Sequence, residues 1–112
     1  MNKLLDINYL TARIQQITRG GEVRVRRSDR EGSNTLYAVF YIDGWEEITL
    51  RVSDHRMNIT AKNEHIINFI VADKESKKEN ALFERTVKNC MKMARTRFFY
   101  KKMKKVEKEQ RK

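Results

Sequence analysis

Residues 35–52 read TLYAVFYIDGWEEITLRV. Within them Leu36, Ala38, Phe40 and Ile42 alternate with Thr35, Tyr37, Val39 and Tyr41, and Ile48, Leu50 and Val52 alternate with Glu47, Thr49 and Arg51. A period of two sends successive side chains to opposite faces of an extended chain, so each run reads as a half-buried strand. Asp43-Gly44 between them suits a tight hairpin turn. One strand upstream, Glu22 to Arg26 alternates in the same way, and SDREGS at 28–33, polar and carrying Gly32, links it to the hairpin. The expectation is a three-stranded antiparallel meander.

Outside the meander the period changes. In residues 6–18, Ile7, Leu10, Ile14 and Ile17 recur at steps of three and four, Asp6 is a good N-cap, and Gly20-Gly21 supplies the left-handed conformation that ends helices. Downstream, HRMNITAKNEHIINFIVAD at 55–73 reads as two short strands, near 57–59 and 66–71, or as a strand-like stretch followed by a short helix. The density of β-branched and aromatic residues in 65–72 favours strands. ADKESKKEN at 72–80 is a charged connector. A last helix should run from about Ser76 to beyond Tyr100, because at about 100° per residue Phe83, Val87, Cys90, Met91, Ala94 and Phe98 gather into one apolar stripe. The fold class expected is therefore α+β: an N-terminal helix, an antiparallel β-meander of three to five strands and a long basic C-terminal helix. One domain should span 1–100, with 101–112 as a basic helical extension or tail.

With 112 residues, 39% apolar and 36% charged, the chain fits one modest core, and no apolar run approaches the roughly 18 residues of a membrane span. MNKLLDINYL lacks a basic segment followed by an apolar run and a small-residue cleavage site, so no secretory signal and a cytoplasmic location are expected. A single cysteine, Cys90, cannot form an internal disulfide, and His55 and His65 offer no zinc-ligand spacing, so neither a structural metal nor a cofactor is expected. Cys90 lies among helix-periodic apolar residues and reads as a small buried hydrophobe.

The net charge of +10 is unevenly placed. Residues 1–84 carry 13 Lys/Arg and 13 Asp/Glu, whereas residues 85–112 carry 12 Lys/Arg against Glu107 and Glu109, so 12 − 2 accounts for the whole excess. Such asymmetry points to a dedicated anion-facing segment. Opposite the apolar stripe of the last helix lie Arg85, Lys88, Lys92 and Arg95; past Phe98 the stripe itself turns cationic at Lys101, Lys105, Lys108 and Lys112. Several cations on one helix face meet nucleic-acid phosphates and release counterion on binding. DNA or RNA is thus the expected partner, held with weak sequence preference by Arg85, Lys88, Lys92, Arg95, Lys101, Lys102, Lys104 and Lys105, with Arg24, Arg26 and Arg51 as secondary contacts. Arg24, Arg26, Tyr37, Tyr41, Trp45, Thr49 and Arg51 would share the outer face of the sheet, a mixture that can stack single-stranded bases.

Catalysis is not expected. Ser53-Asp54-His55 invites comparison with a nucleophile, acid and base, yet adjacent residues on an extended chain point to alternate sides, and a turn in which Asp54 or Ser53 caps amides is the plainer reading. With Arg51 and Arg56 beside it, the cluster could instead grip a phosphate. Asp43, Glu46 and Glu47 read as ordinary surface acids at a hairpin. The rival function is a protein-interaction or inhibitor module, since Phe99, Met103 and Val106 form a second small apolar strip suited to a partner helix or a homodimer seam. Either role suits a small accessory protein of a phage or plasmid.

The order of helix, three-stranded meander and basic C-terminal helix is similar to that of the double-stranded-RNA-binding domain, whose last helix meets phosphates with lysines. The similarity covers element order alone: SKKENALFERT at 76–86 departs from that family's lysine-rich helix start, and residues 56–71 have no counterpart.

Overall fold

Asp6 opens the first helix as its sequence promises: its Oδ1 accepts a hydrogen bond from the amide of Tyr9 at 3.0 Å, filling one of the donors that a helix start leaves unpaired. In the computed structural model, which describes residues 2–57 and 65–110 (107–110 by backbone only), this helix, α1, spans Ile7–Thr18. A single 3₁₀ turn, Lys3–Leu5, precedes it. The helix closes on Arg19, itself left-handed at φ 55°, one residue before the glycines. Gly21 then sits where an added Cβ would meet the methyl of Met91 at 3.2 Å, so its bareness lets the end of α1 approach the last helix.

Four strands follow, β1 (Val23–Arg27), β2 (Leu36–Ile42), β3 (Trp45–Ser53) and β4 (Ile66–Ile70), in the spatial order β1-β2-β3-β4. The first three form the antiparallel meander, turning between β2 and β3 on Asp43 at φ 49° and Gly44 at φ 80°, the paired positive φ of a primed hairpin turn. β4 departs from an all-antiparallel sheet. It runs parallel to β3, with Leu50 beside Ile67 and Val52 beside Phe69. The chain re-enters the sheet at Ile66 beside Thr49, midway along β3, a return that a two-residue turn could not make. Of the two strand readings for 55–73, the second is β4; Asn58 and Ile59 of the first lie outside the described residues.

One face of this sheet carries the core. Val23, Ala38, Phe40, Ile48, Leu50, Val52 and Phe69 point to it, and against them pack Leu10 and Ile14 of α1 and Phe83, Val87, Cys90 and Ala94 of the last helix, α2 (Lys77–Gln110). Phe69 and Phe83 meet edge to face at 5.4 Å. Ser76 starts α2 by accepting from the Glu79 amide at 3.1 Å, and Glu79 in turn reaches Asn2 and the Ala72 amide, tying the chain's beginning to the end of the sheet. Among the described side chains of α2, Ala94 is the last that is fully buried. At 1.5 Å per residue its 34 residues are about 51 Å long, close to the 56 Å long axis of the molecule, so the helix continues well past the sheet. Among the described residues no helix is long and apolar enough to cross a membrane.

Candidate nucleic-acid interface

Because α2 lays its apolar stripe on the sheet, the opposite side of its first two thirds must face outward. Arg85, Lys88, Lys92 and Arg95 are all exposed there. Lys88 pairs with Glu84 at 3.3 Å, and Arg13 stands 3.9 Å from the same carboxylate. Among the described residues no carboxylate lies within ion-pair distance of Arg85, Lys92 or Arg95. Three uncompensated cations and one half-compensated one thus line about 15 Å of helix.

Beyond Ala94 the two sides of α2 exchange character. The outward line becomes apolar at Phe99, Met103 and Val106, which are 60%, 46% and 45% exposed. The line that faced the sheet becomes basic. Lys101 is not an open phosphate contact, however: its Nζ lies 2.9 Å from Glu47 Oε1. Arg97 lies on the same acid, its Nε donating to the Glu47 carbonyl at 3.1 Å and standing 3.7 Å from Oε2. Lys102 sits over the Phe98 ring at 4.7 Å, while Lys104 and Lys105 are exposed. Trp45, 68% exposed at the hairpin, closes a cleft of about 340 Å³ with Asp43, Phe98, Lys101, Lys102 and Lys105. An indole beside three ammonium groups offers both stacking and charge.

Glu47 is therefore not a surface acid. It is 2% exposed, and the cause is a register shift between Phe40 and Tyr41: Ile48 faces Phe40 and Glu46 faces Tyr41, leaving Glu47 as the extra residue of a bulge. Strict alternation would have placed it on the outer face. Among the described residues its Oε2 has no hydrogen-bond partner, so Arg97 and Lys101 balance its charge without satisfying both oxygens.

The outer face of the sheet carries Arg24 and Arg26 as expected, each over a tyrosine ring: Arg24 above Tyr41 at 5.0 Å and Arg26 above Tyr37 at 4.7 Å. Tyr41 also donates its hydroxyl to Glu46 at 3.1 Å; partial desolvation, followed by that carboxylate, raises its phenol above the ordinary value. Arg51 does not join them in the open. It is 4% exposed, its Nη1 donating to the His55 carbonyl at 3.0 Å and to Asn68 Oδ1 at 3.3 Å, its Nη2 to Ser53 Oγ at 3.3 Å. Burial on both faces of β3 was invisible to a period-two reading.

After Ser53 the chain turns rather than staying extended, so Ser53, Asp54 and His55 do meet, contrary to the expectation that they diverge. His55 Nδ1 is 2.8 Å from Asp54 Oδ1 and 3.1 Å from Ser53 Oγ. Both contacts fall on the same ring nitrogen, whereas a relay needs the acid on one nitrogen and the nucleophile on the other. Ser53 also accepts the His55 amide at 3.3 Å, as a capping turn would. Hydrogen bonds from His55 and from Asn34 hold the Asp54 carboxyl below its ordinary value. Burial pushes the Cys90 thiol up to about 12, which leaves it protonated and inert. Among the described residues no three His, Cys, Asp or Glu side chains gather at one point. Compared with protein-family models, curated proteins and solved structures, the chain matches none of them.

Proposed function

We propose that this protein is a non-enzymatic, cytoplasmic nucleic-acid-binding accessory protein that holds DNA or RNA through phosphate contacts along the outward side of α2. The observation that carries the reading is the run Arg85, Lys88, Lys92 and Arg95, exposed on one side of a continuous helix, where among the described residues only Glu84 offsets it. Each cation that neutralises a phosphate frees a condensed counterion, so affinity follows the number of contacts and falls with salt. Lys102, Lys104 and Lys105 extend the charge along the projecting end, and Trp45 in its lysine-lined cleft adds a stacking surface beside them. Arg24 and Arg26 lie across the sheet from α2, so they serve a strand that wraps the molecule rather than a straight duplex on the helix.

The test is a fluorescence-anisotropy titration with labelled duplex DNA, single-stranded DNA and RNA over a range of salt. The intact chain should show a steep log–log salt slope, and Arg85→Ala/Lys88→Ala/Lys92→Ala/Arg95→Ala should lower its magnitude by about three. Equal affinity for the quadruple variant, or no binding by the intact chain at low ionic strength, ends the proposal. The strong exposure of Phe99, Met103 and Val106 supports a second reading, a seam for a partner helix or a second copy. Association through that seam would persist in high salt and would weaken in Phe99→Ser/Met103→Ser.

A further inference from the structure

A second basic site lies at the far end of the sheet from the Trp45 hairpin, on the face turned away from α2. A hollow of about 270 Å³ opens there, lined by Ser28, Arg30, Ser33, Tyr37, Arg51 and Arg56 among others. Its floor is the buried guanidinium of Arg51. Among the described residues that group has only neutral acceptors, the His55 carbonyl, Asn68 Oδ1 and Ser53 Oγ, and no carboxylate pairs with it. A charge taken out of water is ordinarily paired, so this one is half-provided for. Arg30 and Arg56 line the same hollow and likewise have no carboxylate partner among the described residues.

The acids nearest in sequence do not fill the gap. Asp54 has both oxygens engaged, one with His55 at 2.8 Å and the other with Asn34 Nδ2 at 3.1 Å, and neither Asp29 nor Glu31 lines the hollow. The hydroxyls are poised as well. Ser28 Oγ accepts from the Arg30 amide at 3.2 Å and Ser33 Oγ from the Thr35 amide at 3.3 Å, which orders the loop and leaves each hydroxyl proton available to an incoming acceptor. Three arginines and two hydroxyl donors around one opening match the oxygens of a tetrahedral anion, and guanidinium forks suit such oxygens better than ammonium groups do.

We propose that this hollow is a binding site for a single phosphoryl group, with Arg51 as its buried anchor, Arg30 and Arg56 as its walls, and Ser28 and Ser33 as neutral donors. The phosphoryl group can belong to a small phosphate compound or to the terminal phosphate of a nucleic-acid strand, whose extra free oxygens offer these donors more acceptors than an internal phosphodiester does. The site is independent of α2 and stands or falls apart from it.

The test uses the full chain and inorganic phosphate, followed by calorimetry and by amide chemical shifts against chloride at matched ionic strength. Phosphate should bind saturably, with shifts centred on residues 28–35 and 51–56. Arg30→Ala/Arg56→Ala changes only exposed side chains, so it should fold and bind at least tenfold more weakly. Arg51→Lys keeps the charge but loses the fork and should also weaken binding, while the α2 quadruple variant should bind phosphate as the intact chain does. Competition by a 5′-phosphorylated oligonucleotide, with none by its 5′-hydroxyl twin, assigns the strand end as source; competition by a mononucleotide alone assigns a small ligand. No saturable phosphate binding, or binding unchanged in Arg30→Ala/Arg56→Ala, overturns the proposal.

Discussion

Lys101 separates a structural cation from a functional one, and replacing it gives the sharpest test of the geometry. Its Nζ is 2.9 Å from Oε1 of Glu47, whose side chain is fully buried, while the lysine itself is 57% exposed. In water a pair at that distance is worth about 1.4 kcal/mol, and at the effective dielectric of a protein surface about 6 kcal/mol before desolvation and side-chain entropy are deducted. Among the described residues Lys101→Ala removes the only hydrogen bond on Oε1, and Oε2 already has none, so the buried carboxylate is left with Arg97 there. Losing a partner of a buried acceptor costs about 1–3 kcal/mol, and because the exposed lysine leaves room for water the lower part of that range, about 1–2 kcal/mol, is expected. For a chain of this size that is a fall in Tm of about 5–10 °C. Thermal unfolding followed by circular dichroism should show this for Lys101→Ala and essentially no change for Lys102→Ala or Lys104→Ala, which have no acid partner among the described residues. Glu47→Gln in the Lys101→Ala background should cost less than the sum of the two single changes, since the charge that needed balancing is gone. In binding, the order should reverse: Lys102→Ala should reduce the salt slope more than Lys101→Ala. If Lys101→Ala melts with Lys102→Ala, the buried ion pair is not what anchors the projecting half of α2.

Trp45 is the single tryptophan of the chain and stands 68% exposed beside Lys101, Lys102 and Lys105, so its emission should be quenched by nucleic acid in step with anisotropy. Binding without any change in its emission would remove the cleft from the interface. Cys90, buried and pushed up to about 12 by desolvation, should resist a thiol-specific reagent at pH 8 at a rate set by unfolding, and react at once in denaturant; rapid reaction in the native state would contradict its burial. The Asp54 carboxyl is held below its unfolded value by His55 and Asn34, so the stability it contributes is present above the unfolded value and lost as pH falls through the folded one. Urea midpoints at pH 7 and pH 3 should therefore differ less in Asp54→Asn than in the intact chain, by a small amount because the group is exposed.

Much of this molecule follows from local pattern, and the parts that do not follow share a cause. The alternation in 35–52 and the Asp43-Gly44 pair dictate the central hairpin, because side-chain direction and turn dihedrals are set within a few residues. The stripe from Phe83 to Phe98 likewise determines which side of α2 is buried, and by subtraction that Arg85, Lys88, Lys92 and Arg95 face outward. Only the tertiary structure decided the direction of β4, since a strand has the same period whether its neighbour runs with it or against it. Only the structure exposed the bulge that draws Glu47 inward to Lys101 and Arg97, because a one-residue slip depends on what α2 brings opposite it. Arg51 belongs to the same class. Its place on the outer face of β3 was legible, but its burial, and with it a charge that has no carboxylate partner among the described residues at the base of the Arg30 and Arg56 hollow, is made by β4, by the turn that follows β3 and by the loop of residues 28–35.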